Sequence, residues 1–238
     1  MIVAVLAAVV GVPLGLAIDA ASMRLITRAG SGDEGRPGAE SDDDESDERL
    51  WKRGRVQEYL IQRGALWRRL GIVVASVATA FLLGWQYGAG WELVVAGTYA
   101  AVLLACTVTD LLDGRLPNLL TYPAIALAFV IGMSVSAADR IDVLGGAAFS
   151  GGVFFLMALL PGAGWGDAKL GLFTGLALGL ELAIPAVLLT ALTGAILSVT
   201  ILLITRMRAL HQPIPYGPYI AFGALAVIVA GGTAFAQV

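Results

Sequence analysis

Cysteine and histidine are almost missing from this 238-residue chain. The single cysteine, Cys106, excludes an internal disulfide framework and any multi-cysteine metal site. The single histidine, His211, excludes a histidine-cluster metal or haem site. No four-ligand zinc site of the usual Cys/His kind can be assembled from them, and neither metal nor cofactor is expected. Charge is scarce as well. Charged residues make up 14% and hydrophobic residues 58% of the chain, against about 25% and about 45–50% in soluble domains. Such a chain cannot cover its apolar surface with polar groups, so a soluble domain is excluded and a lipid bilayer is its required surroundings. A net charge of -3 gives no reason to expect a nucleic-acid partner.

What is present is a series of long apolar stretches, each near the roughly 20 residues that cross a hydrocarbon core. Eight can be read, at about 2–21, 70–87, 91–109, 119–136, 142–161, 168–180, 183–205 and 219–237. They predict an all-α, polytopic membrane protein with about eight transmembrane helices. The sixth stretch is short and reads as tilted, partly broken or merged with the seventh, with Pro185 near the junction. No Lys or Arg precedes Arg24, so the first stretch lacks the basic start of a signal peptide and reads as a retained anchor.

Basic residues set the orientation. Segment 22–69 holds ten of the fifteen Lys and Arg. With that segment in the cytoplasm, threading eight spans places 14 basic residues inside and only Arg140 outside. The chain then divides into a first transmembrane helix (1–21), a cytoplasmic segment (22–69) and a transmembrane core (70–238). Within the cytoplasmic segment, Gly30 to Glu48 is rich in Gly, Ser and acids, seven of them from Glu40 to Glu48, and is expected to be disordered. Leu50–Arg69 mixes Trp51, Val56, Tyr59, Leu60, Leu66 and Trp67 with basic residues. It reads either as an amphipathic helix on the membrane surface or as a plain basic lead-in to the second span.

Carboxylates within or beside a membrane are costly, by about 2.5–3.5 kcal/mol each on insertion scales, so each needs a reason. Outside segment 22–69, Asp19 falls near the inner face, and Glu92, Asp139, Asp142 and Glu181 fall at outer span ends, where water reaches them. Asp110, Asp113 and Asp167 remain. Asp110 closes the apolar run of span three. Asp167 stands at the start of span six, behind Gly162, Gly164 and Gly166. The topology brings both to one membrane face, and the glycines allow close approach. Two such carboxylates suit an aspartic-protease dyad, in which neighbouring acids share one proton. The same residues would also serve as helix caps, with Arg115 and Lys169 as ordinary ion-pair partners.

The motifs carry a resemblance. Gly164-Trp165-Gly166-Asp167-Ala168-Lys169 resembles the Gly-x-Gly-Asp-x-Lys motif of type IV prepilin peptidases, a family of membrane aspartic proteases. Asp110, followed by Arg115-Leu116-Pro117-Asn118, is similar to that family's first-aspartate motif. Pro213-Ile214-Pro215-Tyr216-Gly217-Pro218 resembles its Pro-x-Pro-Phe-Gly-Pro segment before the last helix. The resemblance implies that Asp110 and Asp167 are catalytic. It implies supporting roles for Gly164, Gly166, Lys169, Arg115, Pro117, Asn118, Pro215, Gly217 and Pro218. It also implies prepilin or pseudopilin substrates, cut at the cytoplasmic face of the inner (plasma) membrane. Bifunctional members carry an insert with two Cys-x-x-Cys pairs that bind zinc and are credited with N-methylating the new amino terminus. Here an acidic stretch without cysteine replaces it, so the zinc site is absent and methyl transfer is left without support. Cys106 reads as a small core residue. Two rival readings are another Gly-x-Gly-Asp intramembrane protease and a small transporter with proton-relay aspartates.

Overall fold

The computed structural model describes residues 1–30, 69–114, 116–134, 137–159, 164–204 and 216–231. Segment 31–68, with its acidic run and its basic aromatic stretch, lies outside the described residues. So do Arg115, Gly162, His211 and Pro215.

Seven helices are described: α1 (Ile2–Gly30), α2 (Arg69–Tyr87), α3 (Trp91–Asp113), α4 (Asn118–Gly132), α5 (Ala137–Ala158), α6 (Trp165–Ile204) and α7 (Gly217–Val229). No strand occurs among the described residues. This is the all-helical membrane class that the composition requires, because a spanning segment must satisfy its own backbone hydrogen bonds. Five helices, α1, α2, α3, α5 and α6, contain segments long and apolar enough to cross a bilayer, and α4 and α7 are shorter apolar helices. Large apolar side chains such as Val9, Val94, Phe129, Leu156 and Leu192 point outward, as lipid permits and water does not.

The sixth and seventh stretches form one continuous helix in outline, α6, with a break inside it. The break lies at Gly179 (φ 75°, ψ 173°), beside the expected junction of the two stretches. Glycine alone tolerates that backbone. The interruption frees the N–H groups of Leu180 and Glu181, and both donate to Asp142 Oδ1 of α5, at 3.0 and 3.3 Å. Asp142, near the start of α5 as expected for a span end, therefore also caps the second arm of α6. Pro185 sits inside that arm, six residues past the break. Asp142→Ala should lower the stability of the detergent-solubilised protein by about 1 kcal/mol. A lowered melting temperature would report it.

The packing centre is α6 with its neighbours α5, α4 and α7, and α3 against α7. Backbones touch between α5 and α6, because Gly146 and Gly175 leave no room for a Cβ on either side. Ser150 and Thr174 join the same two helices through their hydroxyls at 3.2 Å. Tyr99 of α3 meets Phe173 of α6 edge-on, ring centres 5.6 Å apart. Cys106 is fully buried in this core, the place expected for it. On the other side of α3, α1 packs on α2 through Gly11 and Gly15. Ile18, Ile72 and Val108 cluster where α1, α2 and α3 meet, beside an ion pair from Arg69 Nε to Asp19 Oδ2 at 3.1 Å.

Candidate functional site

Four helix termini converge at one end of the bundle: the C-terminus of α3 and the N-termini of α4, α6 and α7. Asp110 is in the last turn of α3. Gly114 ends that helix in the left-handed conformation (φ 62°), its N–H donating to the Asp110 carbonyl at 2.8 Å. The chain turns there and restarts at once as α4, with Pro117 as the extended N-cap residue (φ -67°) and Asn118 as the first helical residue.

The carboxylate of Asp110 is buried, 6% exposed, and its Oδ2 accepts a hydrogen bond from the Gly217 N–H at 2.9 Å. Gly217 begins α7, with Pro218 next, so the carboxylate occupies the anion-favouring end of that helix. A Cβ on Gly217 would come within 2.6 Å of Asp110 Oδ2. The third sequence motif thus meets the first across 107 residues of chain.

Asp167 lies in the first turn of α6. Its own N–H donates to the Gly164 carbonyl at 3.1 Å, and the Gly164 backbone N–H bonds to its carboxylate. The two carboxyl groups interact electrostatically. Asp110, in the last turn of α3, and Asp167, in the first turn of α6, thus sit at the same end of the bundle. Gly166 gives Leu116 room to pack on α6, a Cβ there falling 3.0 Å from the Leu116 Cβ. Lys169 Nζ donates to Asn118 Oδ1 at 2.5 Å and lies 4.7 Å from the centre of the Tyr122 ring. The second motif is thereby tied to the first along the α4–α6 seam.

Of the sequence-expected site residues, Asp110, Asp167, Gly164, Gly166, Lys169, Pro117, Asn118, Gly217 and Pro218 fall at this end of the bundle. Arg115 and Pro215 lie outside the described residues. Two contributors are not among the expected residues. Tyr122 is one helical turn beyond Asn118 and shares its face, a spacing that points to it. Leu116 lies inside the first-aspartate motif, but nothing in its type marks it as the residue that fills the Gly166 gap. Among the described residues no group of three or more His, Cys, Asp or Glu could hold a metal ion.

Residues 97–199, which hold both aspartates, match the type IV leader peptidase family. This part of the chain belongs to that family. Relatives named prepilin leader peptidase/N-methyltransferase are similar over more of the chain. The Pseudomonas aeruginosa protein is 33% identical over 169 residues, 67% of this chain and 57% of its own length. The Aeromonas hydrophila protein is 34% identical over 182 residues, 72% of this chain and 61% of its own. The Burkholderia pseudomallei protein is 30% identical over 189 residues, 75% of this chain and 59% of its own. The chain thus spans about three-fifths of the length of the curated relatives it matches. No solved structure matches it.

Proposed function

We propose that the chain is a membrane aspartic endopeptidase that removes the basic leader from type IV prepilins or pseudopilins. The observation that carries the reading is the convergence at one end of the bundle of Asp110 and Asp167, two residues 57 positions apart in the chain (167 less 110). In the reaction, one carboxylate takes a proton from water, and the hydroxide formed attacks the scissile carbonyl carbon. The other carboxyl donates its proton to the carbonyl oxygen. The tetrahedral intermediate collapses and the C–N bond breaks: the nitrogen leaves with the proton that the first carboxylate took from water, and the hydroxyl formed from the carbonyl oxygen returns its proton to the second carboxylate as the C=O re-forms. Each acid ends in its starting state.

The inner face is the side favoured by the basic residues, 14 to 1. A site there meets a substrate whose leader is basic and whose following segment is an apolar helix. The methyl transfer named for the relatives is not part of the proposal, since this chain holds one cysteine in all. Co-expression with a candidate prepilin tests the reading. A loss of mass equal to the leader is expected, and an intact prepilin beside well-expressed protein would refute it.

Lys169 is assigned a positioning role, holding the first turn of α6 against α4. Lys169→Ala should reduce kcat about tenfold, the scale of one charged hydrogen bond with a cation–π contact. Lys169→Arg, which keeps the charge, should recover part of the loss.

A further inference from the structure

Of the five tryptophans in the chain, three fall among the described residues: Trp85, Trp91 and Trp165. None of the three is in the core. Each is exposed, and each stands at a helix end: Trp85 in the last turn of α2, Trp91 at the first residue of α3 and Trp165 at the first residue of α6. Tryptophan is highly buried on average, so three outward rings at three helix ends call for a cause. The ring is apolar and its N–H is polar, which suits the boundary where hydrocarbon meets lipid headgroups. Hydrocarbon alone gives the N–H no acceptor, and water alone leaves the ring uncovered.

The three rings mark opposite ends of the bundle. Trp165 is at the end that holds the aspartates. Trp91 is at the far end of α3 from Asp110. Trp85 is two residues from Tyr87, whose hydroxyl donates at 2.8 Å to the Ile228 carbonyl, at the end of α7 away from Gly217. At both ends a phenylalanine backs a tryptophan. Ring centres are 6.4 Å apart for Phe81 and Trp85, and 5.8 Å apart for Trp165 and Phe155, in the last turn of α5. Phe155 is itself exposed, so the second pair faces outward together. The spacing is an independent observation. From Trp91 to Asp110 there are 19 residues (110 less 91) of continuous helix. At 1.5 Å per residue this is about 28 Å, close to the roughly 30 Å of a hydrocarbon core. Asp167 follows Trp165 by two residues, about 3 Å along α6. The level of Trp91 and the level of the aspartates are thus about one hydrocarbon core apart.

We infer that Trp165, backed by Phe155, seats the start of α6 in the headgroup boundary of the bilayer and so fixes the depth at which Asp167 works. The partner is the lipid surface itself. The inference rests on the peptidase reading and adds to it how the bond to be cut is chosen. A prepilin's apolar helix takes its depth from the same bilayer. The bond presented to Asp167 is then the one at the end of that helix, and Trp165 keeps the two depths matched. Trp165 is a positioning residue: it acts through Asp167 and touches no reacting atom.

Trp165→Ala, in the purified full chain, should lower kcat on an intact prepilin at least about fivefold in phosphatidylcholine vesicles, with KM little changed. In detergent micelles, where enzyme and substrate share no plane, the change should be under about twofold. Trp165→Tyr keeps a ring with a polar tip and should recover most of the vesicle rate. Trp165→Leu keeps apolar area alone and should not. Equal loss in vesicles and micelles would make Trp165 a substrate contact or a packing residue, and loss in neither would leave it without a role; both results overturn the proposal. A second measurement is independent of activity. In a chain carrying Trp51→Phe, Trp67→Phe, Trp85→Phe and Trp91→Phe, all emission comes from Trp165. Bromines placed high on the lipid acyl chain should quench it at least about twice as strongly as bromines near the chain end. Stronger quenching by the deep bromines, or by neither, overturns the proposal as well. Failure of the anchor leaves the wild type cleaving prepilin in micelles; failure of the peptidase reading leaves no cleavage in either medium.

Discussion

Asp110→Asn and Asp167→Asn should each reduce leader cleavage at least about a thousandfold, within the range that general acid–base groups supply. Asparagine matches aspartate in size but can neither take nor give the proton. In the first variant the amide oxygen can keep the place of Asp110 Oδ2 and still accept from the Gly217 N–H. The α3–α7 contact then survives, and expression should be normal. The double variant should be no worse than either single one, because the two carboxyls act as a unit. Asp113→Asn, three residues beyond Asp110, should keep most activity. Steady-state rates of leader release from a prepilin, measured on protein of equal yield, decide the matter. Additive losses in the double variant would mean that the aspartates serve separate purposes.

Gly217→Ala should be the next most damaging change, although it adds one methyl group. That methyl would sit 2.6 Å from Asp110 Oδ2 and 3.0 Å from its Cγ. Either the Asp110 side chain rotates away or the start of α7 retreats, and both outcomes break the 2.9 Å bond from the Gly217 N–H. Moving a catalytic carboxylate by about 1 Å is enough to cost about a hundredfold in rate. The fold should not suffer in proportion. Alanine is the better helix former by up to about 1 kcal/mol, which offsets part of the local strain. A kcat reduced a hundredfold with a melting temperature within a few degrees of wild type is expected. Unfolded protein, or full activity, would show that Gly217 does not act through Asp110.

Much of this site is legible in the chain before any geometry. Intramembrane carboxylates are expensive, so the few that occur stand out, and the basic residues place Asp110 and Asp167 on one face. Their motifs also contain the neighbours that hold them, Asn118 with Lys169 and Gly217 with Asp110. What cannot be read is which groups touch. The bond to Asp110 comes from a backbone N–H, and backbone donors leave no mark on residue type. The apolar stretches ending at about 180 and starting again at about 183 mark the region of the break in α6, but not the residue that makes it, Gly179. Glycine is common throughout this chain, 30 residues in all, so no single one advertises a positive φ. The role of Asp142 as a cap cannot be read either, because it exists only where Gly179 interrupts a neighbouring helix.

The central claim is that two aspartates of one membrane-embedded chain cut a prepilin without a metal. One side-by-side measurement tests it most directly: purified wild type and Asp167→Asn, each treated with a chelator, incubated with an intact prepilin and followed by mass spectrometry. The account predicts a single cut at the leader junction by the chelated wild type and none by the variant. Cleavage by Asp167→Asn at the wild-type rate, or its loss from the wild type on chelation alone, would contradict it.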